Sequence, residues 1–92
     1  MRKSLHAIVH GAVQGVSLRD FTRSRAKKLG LVGTVRNLPD GTVEVVAEGD
    51  GEVLEVLMEM LRKDYPFAKI THIDVVWGEA TGLFSDFKIL FS

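Results

Sequence analysis

Between Asp50 and Pro66 the apolar residues Val53, Val56, Leu57, Met60 and Leu61 recur at i, i+3, i+4, i+7 and i+8, the spacing of a helix with one apolar face. Such a stripe has to be buried, and a chain of 92 residues has room for one core in which to bury it. Asp50 is placed to cap this helix and Pro66 to end it. A second helix is predicted from Ser17 to Leu29, with Leu18, Phe21, Thr22, Ala26 and Leu29 inward, Arg23, Lys27 and Lys28 outward, and Gly30 at the left-handed position beyond its end. Ser17 followed by Asp20 resembles a capping box at its start.

The remaining segments read as strands. Leu5, Ala7 and Val9 alternate with His6, Ile8 and His10 over Ser4 to His10, a period of two. Leu31 to Asn37 and Thr42 to Glu48 flank Leu38-Pro39-Asp40-Gly41, which supplies a proline and a glycine for a hairpin turn. Ile70 to Gly78 forms a fourth strand with Ile73, Val75 and Trp77 on one face, and Asp86 to Phe91 a possible short fifth. The order is βαββαβ. A single domain over 1–92 is expected, of the ferredoxin-like α+β class: an antiparallel sheet with both helices on one face. In that topology strand 3 lies between parallel strands 1 and 2, so the ends of strands 1 and 2 share one sheet edge about 10 Å apart.

Composition narrows the function classes. The chain has 12 Lys/Arg, 12 Asp/Glu and no cysteine, so disulfides and thiolate metal sites are excluded and a cytoplasmic location is expected. No apolar run is long enough to span a membrane and no signal peptide is apparent. Charge is uneven: residues 1–30 carry seven Lys/Arg against one Asp, and residues 31–64 three against eight acids. A basic first third favours a small anionic ligand, while the neutral total and the lack of aromatic platforms among the basic residues argue against nucleic acid.

The anion has an obvious place to go. Val13-Gln14-Gly15-Val16-Ser17-Leu18-Arg19 is a glycine-broken loop running from the first strand into the first helix. Backbone N–H groups at a helix N-terminus lack intrahelical partners and favour an anion with the helix dipole. A cation in that turn sits against the dipole, so Arg19 asks for an anionic partner. Asn37, at the end of strand 2, shares the same sheet edge; taken alone, an asparagine before a turn more often bonds its own backbone.

At this point the chain resembles a family, the acylphosphatases. Gly11 to Arg19 looks like their phosphate-loop signature, Leu29 to Asn37 like their second signature, and Asp40-Gly41-Thr42-Val43-Glu44 like the hairpin that follows. The resemblance implies metal-free hydrolysis of the carboxyl-phosphate bond of acyl phosphates, by a monomer without cofactor. It implies that Arg19 and the backbone of Gln14, Gly15, Val16, Ser17 and Leu18 hold the phosphate, and that Asn37 orients the attacking water. Leu18 stands where the family commonly has an aromatic residue, Ala12 where it often has a basic one, and Thr34 where it often has tryptophan. The chemistry suits those residues: the leaving group is a carboxylate of pKa about 4, which departs without a general acid, so catalysis needs phosphoryl charge stabilisation and a placed water.

Other residues have plainer readings. Ser17 is expected to cap its helix rather than act as a nucleophile, because no base is apparent near it. His6 and His10 share a strand face but lack an obvious third metal ligand, and His72 has no visible partner. Glu44, Glu48 and the glutamates of the second helix read as a solvated acidic face. Trp77, Phe84, Phe87 and Phe91 read as core or sheet-edge residues. Two rival functions are a non-catalytic acylphosphatase-like binding or regulatory module, and an RNA-binding domain of the same topology; the second would need aromatics on strand 3, which has none.

Overall fold

A computed structural model describes residues 1–91. The order is β1 (Arg2–Ala12), α1 (Leu18–Lys28), β2 (Val32–Asn37), β3 (Val43–Asp50), α2 (Gly51–Lys63), β4 (Lys69–Glu79) and β5 (Phe87–Leu90). The five strands form one sheet in the order β4-β1-β3-β2-β5. β1 runs antiparallel to β3 and β4, and β2 antiparallel to β3. β1 and β2 are therefore parallel with β3 between them, the arrangement on which a shared sheet edge depends. β5 pairs parallel to β2, so the complete sheet is mixed and its antiparallel part is the four strands expected from the sequence.

Alternation along the strands decides which face the helices cover. Leu5, Ala7 and Val9 of β1, Val35 of β2 and Val43, Val45 and Ala47 of β3 are buried in one cluster with Leu18 and Ala26 of α1 and Leu54, Leu57, Met58 and Leu61 of α2. The intervening positions of each strand point to the open face. α1 lies over β2 and β5, and α2 over β3 and β1.

The inward face of α2 is not the stripe read from spacing. Leu54, Leu57, Met58 and Leu61 are buried, Val53 and Met60 are half-buried, and Val56 is exposed. Both sets keep the i, i+3, i+4, i+7 rhythm. Since the helix is apolar over a wide arc, periodicity alone did not select among its faces, and the sheet received the one with more Leu and Met volume.

The acidic face also needs correction. Glu48 is 1% exposed and accepts hydrogen bonds from Thr81 N (2.9 Å), Thr81 Oγ1 (2.7 Å) and Gly82 N (3.0 Å). It fastens the segment between β4 and β5 to the centre of the sheet. Burial pushes its pKa up, but the hydrogen bonds from Thr81 and Gly82 outweigh this and hold it below the usual value of 4.5. Glu44 is bonded by His6 Nε2 and Arg36 Nε, both at 2.8 Å, and its pKa is likewise lowered against the opposing effect of burial. Of the four aromatics expected in the core or at a sheet edge, Phe87 is buried and Phe84 half-buried, whereas Trp77 is 42% and Phe91 81% exposed.

A depressed folded-state pKa means stabilisation that is present above the unfolded value, near 4.5 for Glu48, and is lost as pH falls through the folded value. Urea denaturation should therefore show stability declining on acidification below that point. Glu48→Ala, which leaves three donors without their acceptor, should cost about 3 kcal/mol at neutral pH and flatten the acid limb of the profile. An unchanged acid limb in that variant would remove Glu48 from the explanation.

Candidate active site

The loop that follows β1 is shaped by two left-handed residues. Gly15 has φ 75° and Ser17 φ 62°, the latter an uncommon conformation for a residue with a side chain. Ser17 is the N-cap residue of α1, and its carbonyl accepts from Phe21 N at 3.1 Å. Its side chain makes no capping bond, so the capping box expected from Ser17 and Asp20 does not form. In the left-handed conformation the backbone turns sharply into the helix. Alternation of left- and right-handed residues makes a concave nest of N–H groups, an anion-binding shape. The backbone N–H groups of Gly15 to Arg19 have no acceptor among the described residues.

Two side chains brace the loop. Gln14 Nε2 donates to the carbonyls of Leu38 and Thr42, each at 2.8 Å, tying the loop to the β2–β3 hairpin. That hairpin is closed by Leu38 N to Thr42 O at 2.9 Å and Gly41 N to Leu38 O at 3.1 Å. Thr42 N and Oγ1 both donate to Asp40 Oδ1, at 3.0 and 2.6 Å, and the Thr42 hydroxyl is the main reason that the Asp40 carboxyl has a lowered pKa. On the other side the Tyr65 hydroxyl donates to the Val16 carbonyl. The Tyr65 ring packs against Phe21 of α1 at 4.6 Å between centroids.

Arg19 and Asn37 meet in one cleft of about 270 Å³, which Gly15, Ser17 and Leu18 also line. Arg19 is half-buried and has no ion-pair partner among the described residues. Asn37 is the last residue of β2, and its Oδ1 is buried without a hydrogen-bond partner among the described residues. A turn-forming asparagine would bond its own backbone, so that plainer reading does not describe Asn37. Leu18 is 1% exposed and floors the cleft from below the loop. Gln14 and Val16 belong to the loop but not to the cleft lining; they act through the braces just described. Asp20 is the one carboxylate among the described lining residues.

The sequence reading missed the far wall. Val13, Ile89 and Phe91 complete the lining, and the Arg19 guanidinium carbon lies 5.1 Å from the Phe91 ring centroid, within cation–π range. Nothing local marks Phe91, because it arrives there only through the parallel pairing of β5 with β2. Ala12 pairs across the sheet with Lys69, and neither residue lines the cleft.

A sequence model of the Acylphosphatase family matches residues 5–89. This chain belongs to the acylphosphatase family. Among similar relatives, a curated acylphosphatase of Methylococcus capsulatus is 47% identical over 96% of each chain. One of Dehalococcoides mccartyi strain CBDB1 is 49% identical over 92% of this chain and 94% of its own. The crystal structure of acylphosphatase from Bacillus subtilis superposes with a TM-score of 0.90 at 36% identity, covering 96% of this chain and 98% of that one. The matched span contains the loop, Arg19 and Asn37 that line the cleft.

Because Ser17 contributes its backbone and not a side-chain cap, Ser17→Ala should change stability by less than about 0.5 kcal/mol, where loss of a formed cap would cost about 1 kcal/mol. Gln14→Ala should cost about 1–2 kcal/mol by deleting two hydrogen bonds to carbonyls and should speed amide exchange in the loop. Chemical denaturation and hydrogen exchange read both. A Ser17→Ala loss near 1 kcal/mol would restore the capping box.

Proposed function

We propose that this protein hydrolyses the carboxyl-phosphate bond of acyl phosphates, giving a carboxylate and inorganic phosphate, with Arg19 and Asn37 as the catalytic residues. The observation that carries the reading is the convergence, in one cleft, of an unpaired nest of loop N–H groups, an arginine and a buried, unpartnered amide oxygen. The curated relatives, of which the chain covers nearly the full length, bear the enzyme's name. An acceptor left without a partner in the same cleft as the anion loop suits the placing of a water, which a binding module does not require, so turnover is the favoured reading.

In this mechanism the N–H groups of Gly15 to Leu18 and the Arg19 guanidinium take the phosphoryl oxygens. Charge spreads over those oxygens as the bond to the leaving carboxylate lengthens, and preorganised donors stabilise it there at no further reorganisation cost. Asn37 Oδ1 accepts a hydrogen bond from the attacking water and sets it in line with the leaving oxygen. The water oxygen bonds to phosphorus, the P–O bond to the acyl carboxylate breaks with its electron pair on the carboxylate, and the water proton passes to a phosphoryl oxygen. Asn37 is neutral and takes no proton; its contribution is position. The wall of Ile89 and Phe91 stands beside Arg19, where the acyl part of a substrate leaves the phosphate site.

The same reading makes the protein a cytoplasmic monomer acting without cofactor on small acyl phosphates, with no nucleic-acid or membrane partner. Support comes from the cysteine-free, charge-balanced composition. No helix among the described residues is long and apolar enough to cross a membrane.

Benzoyl phosphate hydrolysis in excess chelator tests the assignment. Arg19→Ala should lose at least about 10³-fold in turnover together with inorganic phosphate binding, since both phosphate charge and bidentate donors disappear. Asn37→Ala should lose at least about 10²-fold in kcat while still binding inorganic phosphate. Wild-type kcat in folded Asn37→Ala would refute the water-positioning role; no turnover by the folded wild-type chain would favour the binding module.

A further inference from the structure

The open face of the sheet carries a cluster that hydrolysis does not use. His10 of β1 and His72 of β4 are directly paired across the antiparallel ladder. Their rings stack at 4.0 Å between centroids with an 11° tilt. Asp74, two residues beyond His72 on the same face of β4, completes the group. His10 Nε2 donates to Asp74 Oδ2 at 2.8 Å, and His72 Nε2 lies 3.7 Å from the same oxygen. One ligand atom from each residue falls within 4.8 Å of the other two. We propose that His10, His72 and Asp74 bind one divalent transition-metal ion of the Zn²⁺ class at the β1–β4 seam.

Three features carry this. First, the donors converge: the two imidazole nitrogens approach a single carboxylate oxygen, instead of spreading along the strand as His6 and His10 do. Zinc bonds of about 2.0–2.1 Å in a tetrahedron place neighbouring ligand atoms about 3.3 Å apart. The 2.8 and 3.7 Å separations of the two imidazoles from the shared carboxylate oxygen bracket that value, and one or both rings must turn out of the parallel stack for both lone pairs to reach one ion. Second, two imidazoles and one carboxylate form a donor set that favours zinc, nickel or copper over magnesium or calcium. Third, the site is accessible and sits on two paired strands, with a register shift immediately after His10. The side chains are 31%, 58% and 65% exposed for His10, His72 and Asp74, which leaves a path and a fourth position for water, while both strands belong to the longest ladder in the sheet.

His6 marks the limit of the site. It lies on the same face, four residues before His10, but its Nε2 is engaged with Glu44 of β3 at 2.8 Å, on the other side of β1. The strand spacing of His6 and His10 therefore does not define a metal pair, and two of the three ligands, His72 and Asp74, come from the edge strand β4.

Isothermal titration of the chelator-treated full chain with Zn²⁺ tests the proposal, with Mg²⁺ as the unfavoured ion and His72→Ala, Asp74→Asn and His6→Ala as variants. Expected are one equivalent of Zn²⁺ bound, no Mg²⁺ heat, at least about a tenfold loss of affinity in His72→Ala and in Asp74→Asn, and wild-type affinity in His6→Ala. Thermal unfolding in chelator establishes that each variant is folded, and Asp74→Asn answers the question alone should His72→Ala fail to fold. Wild-type Zn²⁺ affinity in a folded His72→Ala or Asp74→Asn, or an equal loss in His6→Ala, would overturn the site.

Discussion

Two apolar helix stripes have to be buried on one face of one sheet, and the rest of this protein follows from that constraint. Covering β1, β3 and β2 from a single side sets β3 between its two parallel neighbours and brings the ends of β1 and β2 to the same edge. The loop after β1 and the hairpin after β2 then emerge side by side. A cation from the first turn of α1 and an amide from the last position of β2 share a cleft although 18 residues separate them in the sequence. The site is a by-product of layer packing, refined by local chemistry.

That refinement is held by few bonds. The loop takes a left-handed turn at Ser17 that a free peptide would seldom adopt, at a cost of about 1–2 kcal/mol. Gln14 to the Leu38 and Thr42 carbonyls, Tyr65 to the Val16 carbonyl, and Leu18 in the core hold it there. These contacts use the Gln14 amide and the Val16 carbonyl, while the N–H groups of Gly15 to Arg19 have no acceptor among the described residues. Backbone strain and an unpartnered Asn37 oxygen occur together at one place. In a globular domain such costs persist where a ligand or a reaction uses them.

Among the described residues the other buried side-chain polar atoms have hydrogen-bond partners, and they do structural work. Glu48 is the clearest case: a carboxylate at the centre of the sheet that captures the chain between β4 and β5, and thereby helps to deliver β5 to its parallel place beside β2. Gly33, in β2, has φ 145°, and a Cβ there would meet the Val46 carbonyl oxygen at 1.8 Å, so the close approach of β2 and β3 needs a residue without a side chain. Because Phe91 and Ile89 reach the cleft through β5, Glu48 and the candidate site are connected through the route of the chain without touching.

Legibility from the sequence divides along a physical line. Element order, the arrangement of the first four strands and the anion loop were readable in periods of 3.6 and 2 and a glycine-broken strand-to-helix turn; Arg19 was a candidate from its place in the first helical turn, and Asn37 only through the resemblance of the two signature segments to a family. The inward face of α2, the burial of Glu48, the uncapped left-handed Ser17, the braces from Gln14 and Tyr65, the Phe91 wall and the pairing of His10 with His72 were not. Those depend on which residues come together across tens of positions, and on which of several nearly equivalent apolar faces fills the space over the sheet. Periodicity is a property of neighbours along the chain, so the sequence by itself determined the elements and the chemistry-bearing residues. Partnership is a property of neighbours in space, so only the tertiary structure decided what each of those residues touches.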